Sequence, residues 1–111
     1  MNSDSLVLDK KLKEIITILV DNANPLRIIL FGSYAKGTNQ KYSDYDICVI
    51  KENTEDLNKL EKKLYVDLHS VGEAIDLIVS SPERYETSKE SKYSIYNEIA
   101  KNGLVVYERL R

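Results

Sequence analysis

The 111-residue sequence contains no tryptophan, one phenylalanine, one methionine, one cysteine, two prolines and four glycines. A lone cysteine, Cys48, permits no disulfide within the chain, which fits a reducing compartment, and it reads as a small buried hydrophobe. So little proline and glycine excludes collagen-like, linker and low-complexity segments. Long apolar runs are also missing. The longest, residues 28–31 and 47–50, are strand-length and far below a membrane span. The opening residues, MNSDSLVLDKKLKE, have neither the basic start nor the apolar core of a signal peptide, so a cytoplasmic location is expected. An excess of one charge is absent too: 16 Lys and Arg stand against 18 Asp and Glu, a formal net charge of -2. No basic block forms, so direct binding of a nucleic-acid polymer is not expected.

What is present is the composition of an ordinary globule, 42% apolar and 31% charged, with nothing that favours disorder. This length suits one compact domain over residues 1–111 and leaves little room for a separate substrate-recognition lobe.

Periodicity orders the elements. Leu8, Leu12, Ile15, Ile16 and Leu19 fall at helical spacing, with lysines between them, and predict an amphipathic helix over residues 6–22. The break Asn22-Ala-Asn-Pro25 precedes a short apolar strand at residues 27–31, which Gly32 ends. Residues 33–37 suit a helical turn and residues 38–43 a polar connector. Residues 44–50 then alternate, with Tyr45, Ile47 and Val49 on one face of a strand and Asp44, Asp46 and Cys48 on the other. Thr54 is the expected N-cap of a helix whose stripe is Leu57, Leu60, Leu64, Leu68 and Val71, terminated by Gly72. A third strand is expected at residues 74–79, and Ser81-Pro82 opens a helical turn over 82–86. Tyr93, Tyr96, Ile99 and Ala100 predict a last helical face, Gly103 its stop, and residues 104–107 a final strand. The order α-β-α-β-α-β-α-β describes one α/β domain with a mixed sheet flanked by helices.

Chemistry concentrates in FGSYAKGTNQKYSDYDICVI, residues 31–50. Asp44 and Asp46, two apart on a strand, point to one side of the sheet. Carboxylates so placed can share divalent cations, and magnesium prefers one or two carboxylates completed by water and phosphate oxygens. Two such ions would stabilise the attacking and leaving oxygens of an in-line displacement at phosphorus. Ahead of them, Gly32 allows the backbone close to a phosphate, and Ser33 with neighbouring N–H groups can donate to its oxygens. Lys36, with Lys41 as a second cation, is placed to neutralise phosphate charge. Asp76 is the third candidate, because an acid inside the apolar run AIDLIV is costly unless it is paired or metal-bound.

The stretch resembles the DNA polymerase beta-like nucleotidyltransferase superfamily, whose signature is Gly-Ser, ten residues, then Asp-x-Asp, with a later strand-borne acid. Ten residues separate Ser33 from Asp44, and Asp46 completes the pattern. By length and by the ending NEIAKNGLVVYERL the chain is similar to the minimal nucleotidyltransferases, the MNT antitoxins usually paired with a HEPN toxin. The resemblance implies ATP as donor, two magnesium ions held by Asp44, Asp46 and Asp76, and a phosphate contact by Gly32 and Ser33. It further implies AMP transfer to a tyrosine hydroxyl of a HEPN ribonuclease, which it would silence in a type VII-like toxin-antitoxin pair, with Asp76 as base. Lys36 departs from the arginine that many relatives carry, which keeps the charge but loses bidentate geometry.

Blander readings exist for each feature. An isolated Asp-x-Asp is usually solvated edge or turn, and Asp76 could pair with a lysine or arginine. His69 reads as a surface residue. The lysines between 59 and 63, with Lys89 and Lys92, read as solvated helix faces. Tyr85, Tyr93 and Tyr96 suit either the core or a protein interface. The competing function is a non-catalytic module that masks a toxin by binding. Transfer to a small antibiotic or to RNA is the weaker third reading, since larger relatives with those substrates usually add a recognition domain.

Overall fold

A computed structural model describes residues 9–110. The first helix, α1 (Lys10–Ala23), starts where the Asp9 carboxylate accepts the N–H groups of Lys11 and Leu12 at 2.8 and 3.4 Å. It ends at Asn24, whose left-handed backbone (φ 45°) returns its N–H to the Val20 carbonyl. The predicted beginning at residues 6–8, Leu8 included, lies outside the described residues. Then come β1 (Arg27–Phe31), the short helix α2 (Gly32–Lys36), β2 (Tyr45–Ile50) and α3 (Leu57–Leu68), which runs into a 3-10 turn at His69–Val71. The remainder is β3 (Ile75–Ser80), α4 (Pro82–Ser88), α5 (Ile95–Asn102) and β4 (Leu104–Glu108).

The strands form one mixed sheet in the order β3-β2-β1-β4, the mixed sheet flanked by helices that was expected, in a small α+β domain. Strand β1 is antiparallel to both β2 and β4, while β2 and β3 are parallel. Parallel neighbours need a long crossover, and α3 supplies it.

Alternation divides the sheet residues between two cores. Ile28, Leu30, Tyr45, Ile47, Val49, Leu77 and Val79 face α1 and α3, where Leu12, Ile15, Leu19, Leu64 and Leu68 complete the main core. Each such aliphatic side chain contributes about 1.5–3 kcal/mol when fully buried. The opposite face carries Ile29, Phe31, Cys48 and Ile50 under Tyr85, Tyr96 and Ile99. Among the described residues the helices that contribute to that second core are the short α4 and α5, joined by Leu26 ahead of β1, and the candidate acids of β2 and β3 share its side of the sheet. No helix among the described residues is long and apolar enough to cross a membrane.

Several local expectations change. The cap of α3 is Asp56, which accepts Lys59 N–H at 2.9 Å, and Thr54 instead donates its hydroxyl to the Glu52 carbonyl. Both residues suit a cap, and the helix begins two residues later than Thr54 requires. Asp44 lies one residue before β2. The Ser81 cap holds, accepting Arg84 N–H at 3.1 Å, but α4 extends to Ser88. Tyr93 precedes α5 and is 88% exposed, and Ala100 is exposed as well, so the buried face of α5 is Tyr96 and Ile99. Tyr85 and Tyr96 are core residues, meeting edge to face with ring centroids 6.1 Å apart. His69 is exposed and Cys48 fully buried, as expected.

Candidate functional site

Parallel pairing of β2 with β3 sets Asp46 directly opposite Asp76. Adjacent strands in register direct such side chains to the same face, so two carboxylates separated by thirty residues of sequence become neighbours. On the other side of β2, Phe31 pairs with Asp46, which brings the start of α2 against the same carboxylate. Gly32 has φ +74°, and a Cβ there would sit 2.1 Å from Asp46 Oδ2. The glycine is therefore required twice, by its left-handed backbone and by the carboxylate lying over it.

Asp46 is half-buried, whereas Asp44 and Asp76 are exposed. Burial raises the Asp46 carboxyl above the ordinary carboxylate value, and the charges of Asp76 and then Asp44 add to the effect. All three candidate acids therefore interact electrostatically around Asp46. Exposure of Asp76 overturns one step of the sequence reasoning. The acid stands on an edge strand facing solvent, so the cost of burying a charge does not mark it out; its register with Asp46 does. Among the described residues its side-chain partner is no lysine or arginine but the phenol of Tyr65, which donates to Asp76 Oδ1 at 3.3 Å. The same Tyr65 oxygen accepts the Leu77 N–H at 2.8 Å.

A second set of groups fixes the start of α2. Tyr34 stacks on Tyr45, with centroids 4.0 Å apart and planes 12° from parallel. Tyr45 in turn donates its hydroxyl to Asp9 Oδ2 at 2.7 Å, the same carboxylate that caps α1. Burial, then hydrogen bonds to Asp9 and Tyr34, hold the Tyr45 phenol far above its ordinary range. Ser33 is half-buried in the first turn of α2 and its carbonyl accepts the Gly37 and Thr38 N–H groups. Lys36 is turned to α5, where its ammonium lies 3.1 Å from Glu98. Lys41 is exposed in the connector, 5.4 Å from the Tyr42 ring.

The donor set suits magnesium. It consists of carboxylate oxygens, and a cation would relieve the like charges of Asp76 and Asp44 that add to burial in raising the Asp46 carboxyl. Among the described residues no three His, Cys, Asp or Glu side chains gather so as to hold a metal ion by themselves, and magnesium ordinarily retains water and substrate oxygens in its shell. The residues that sequence reasoning missed are Tyr65, Tyr34, Tyr45 and Asp9. Tyr34 and Tyr45 flank motif residues, which is a usable signal; Tyr65 lies on a different element and has none.

Comparison with known proteins adds independent findings. Residues 12–106 match the family described as "Nucleotidyltransferase domain". The protein "Putative protein adenylyltransferase MJ0604" of Methanocaldococcus jannaschii is 32% identical over 102 residues, 89% of this chain and 97% of that one. "Protein adenylyltransferase MntA" of Shewanella oneidensis is 41% identical over 68 residues, 58% of this chain and 49% of its own. The chain thus spans about half the length of the Shewanella relative and nearly all of the archaeal one. A crystal structure of a toxin-antitoxin with AMP-PNP superposes with a TM-score of 0.67 at 25% identity, over 90% of this chain and 74% of that chain.

Proposed function

The chain belongs to the nucleotidyltransferase domain family, and from that premise we propose that it is a magnesium-dependent protein adenylyltransferase, moving AMP from ATP to a tyrosine hydroxyl of a HEPN toxin and acting as its antitoxin. The observation that carries the reading is the junction of Asp46 with Asp76 across β2 and β3 and with Gly32 at the start of α2. On this reading it would join carboxylates that hold cations to a turn that holds phosphates. The names borne by the archaeal and Shewanella relatives, and a toxin-antitoxin neighbour with an ATP analogue, support the choice of donor and acceptor.

Asp44, Asp46 and Asp76 would hold the cations. Bound magnesium would supply charge stabilisation to the oxygens around the reacting phosphorus. Gly32, with no side chain of its own, and Ser33, with its hydroxyl and N–H, would orient the triphosphate. Asp76 is exposed and so open to an incoming acceptor; its carboxylate would take the proton of the attacking hydroxyl. In-line attack then forms the new phosphorus–oxygen bond at the α-phosphorus and expels pyrophosphate. The acceptor must arrive on a partner that presents it, since orientation supplies much of the rate of such reactions. Lys36 would meet the phosphates only after leaving Glu98.

The test is transfer of label from α-labelled ATP to the co-purified partner with magnesium present. Label should reach the partner with the wild-type protein and fail to do so with Asp46→Asn. Full labelling by that variant would overturn the proposal.

A further inference from the structure

Of the groups around the site, Tyr65 has the most definite geometry and no part in the reaction as described. It stands on α3, which packs against the far face of the sheet, yet its phenol reaches round the edge strand β3. There the oxygen accepts the Leu77 N–H at 2.8 Å, and its proton is directed to Asp76 Oδ1, 3.3 Å away. We propose that Tyr65 is a positioning residue for Asp76: its hydroxyl, held by the Leu77 backbone, fixes one oxygen of the Asp76 carboxylate and leaves the other for the site shared with Asp46.

Asp76 is exposed on an edge strand, and a short carboxylate there samples several rotamers unless something selects one. Tyr65 selects one at low entropic cost, because its ring is attached to a helix and its oxygen is already anchored by a backbone donor. Outer hydrogen-bond partners of metal-binding carboxylates act in this way, and removing one typically weakens metal affinity or activity by about 10- to 100-fold. A merely structural tyrosine would stabilise β3 through Leu77 and leave Asp76 indifferent.

This inference rests on the adenylyltransferase reading, so its experiment separates the two. The probe is manganese(II), titrated with a non-hydrolysable ATP analogue and followed by the electron paramagnetic resonance of the free ion. Tyr65→Phe, Asp46→Asn, Asp76→Asn and the double variant Tyr65→Phe/Asp76→Asn are compared, each with a thermal melt. Tyr65→Phe should melt close to wild type, because water can replace the phenol at an exposed edge. It should bind manganese roughly tenfold more weakly and lower kcat by a similar factor, with little change in KM for ATP. In the Asp76→Asn background the same change should cost nothing further, as expected when one residue acts through the other. Wild-type manganese binding by Tyr65→Phe, or an equal further loss in the double variant, overturns the positioning role alone. Wild-type binding by Asp46→Asn overturns the functional reading, and the positioning role with it.

Discussion

Substitution of Gly32 by alanine isolates the contact on which the site depends. Gly32 and Gly72 have nearly the same backbone, φ +74° and +76°, but a Cβ on Gly72 would meet nothing within 4 Å, whereas one on Gly32 would fall 2.1 Å from Asp46 Oδ2, 2.9 Å from its Cγ and 3.2 Å from its Cβ. The left-handed backbone costs an L-residue about 1–2 kcal/mol, and this should be common to both variants. Reduced freedom of the unfolded chain returns about 0.4–1 kcal/mol to each. Gly72→Ala should therefore lose about 1 kcal/mol, and in a domain of this size that lowers Tm by about 4–8 °C. At Gly32 the oxygen and Cγ of Asp46 can swing away, but its Cβ cannot, so a backbone shift of a few tenths of an ångström adds a further loss of about 1 kcal/mol. The larger consequence is chemical. Asp46 leaves its place opposite Asp76, and AMP transfer should fall roughly 100-fold while Gly72→Ala transfers normally. Thermal melts and labelled-ATP transfer measure the two effects side by side. Equal transfer by the two alanine variants would refute the reasoning.

Three further outcomes follow from the geometry. Gly103→Ala should lower Tm more than Gly72→Ala, by about 1–3 kcal/mol of stability in a thermal melt, because the new Cβ would lie 2.5 Å from the Ile99 carbonyl oxygen and 2.7 Å from Ile29 Cγ2. Cys48 is 0% exposed beneath the second core, so a thiol reagent should label it only under denaturing conditions; rapid labelling of the native protein would contradict the packing. The Lys36–Glu98 pair is half-exposed at both ends, so Lys36→Ala should leave Tm close to wild type while raising KM for ATP, read from a melt and a saturation curve.

Much of this molecule is readable from local pattern. The spacing of Leu12, Ile15 and Leu19 and the alternation of Tyr45, Ile47 and Val49 are consequences of helix and strand periods, and each set is buried as predicted. Asp46 and Asp76 were recognisable as strand-borne acids, but the reason attached to Asp76 was the wrong one. An apolar neighbourhood in sequence does not reveal that a strand lies at an edge. Thr54 and Asp56 are both competent caps two positions apart, and only the packing of Leu57, Leu60, Leu64 and Leu68 on the sheet decides between them. Tyr93 looked continuous with the face of α5, yet Ser94 caps the helix after it by accepting Tyr96 N–H. Tyr65 was invisible because its role depends on a helix crossing the edge of β3, a relation between elements that no local pattern contains.

The central claim is that the acids serve transfer to a partner and not merely attachment to it. Intact-mass spectrometry of the HEPN protein proposed as its partner, co-expressed with this protein, tests that claim most directly. The account predicts the added mass of AMP on a partner tyrosine with the wild-type protein and an unmodified partner with Asp44→Asn. Stable binding and neutralisation of an unmodified partner by both proteins would contradict it and establish a masking module instead.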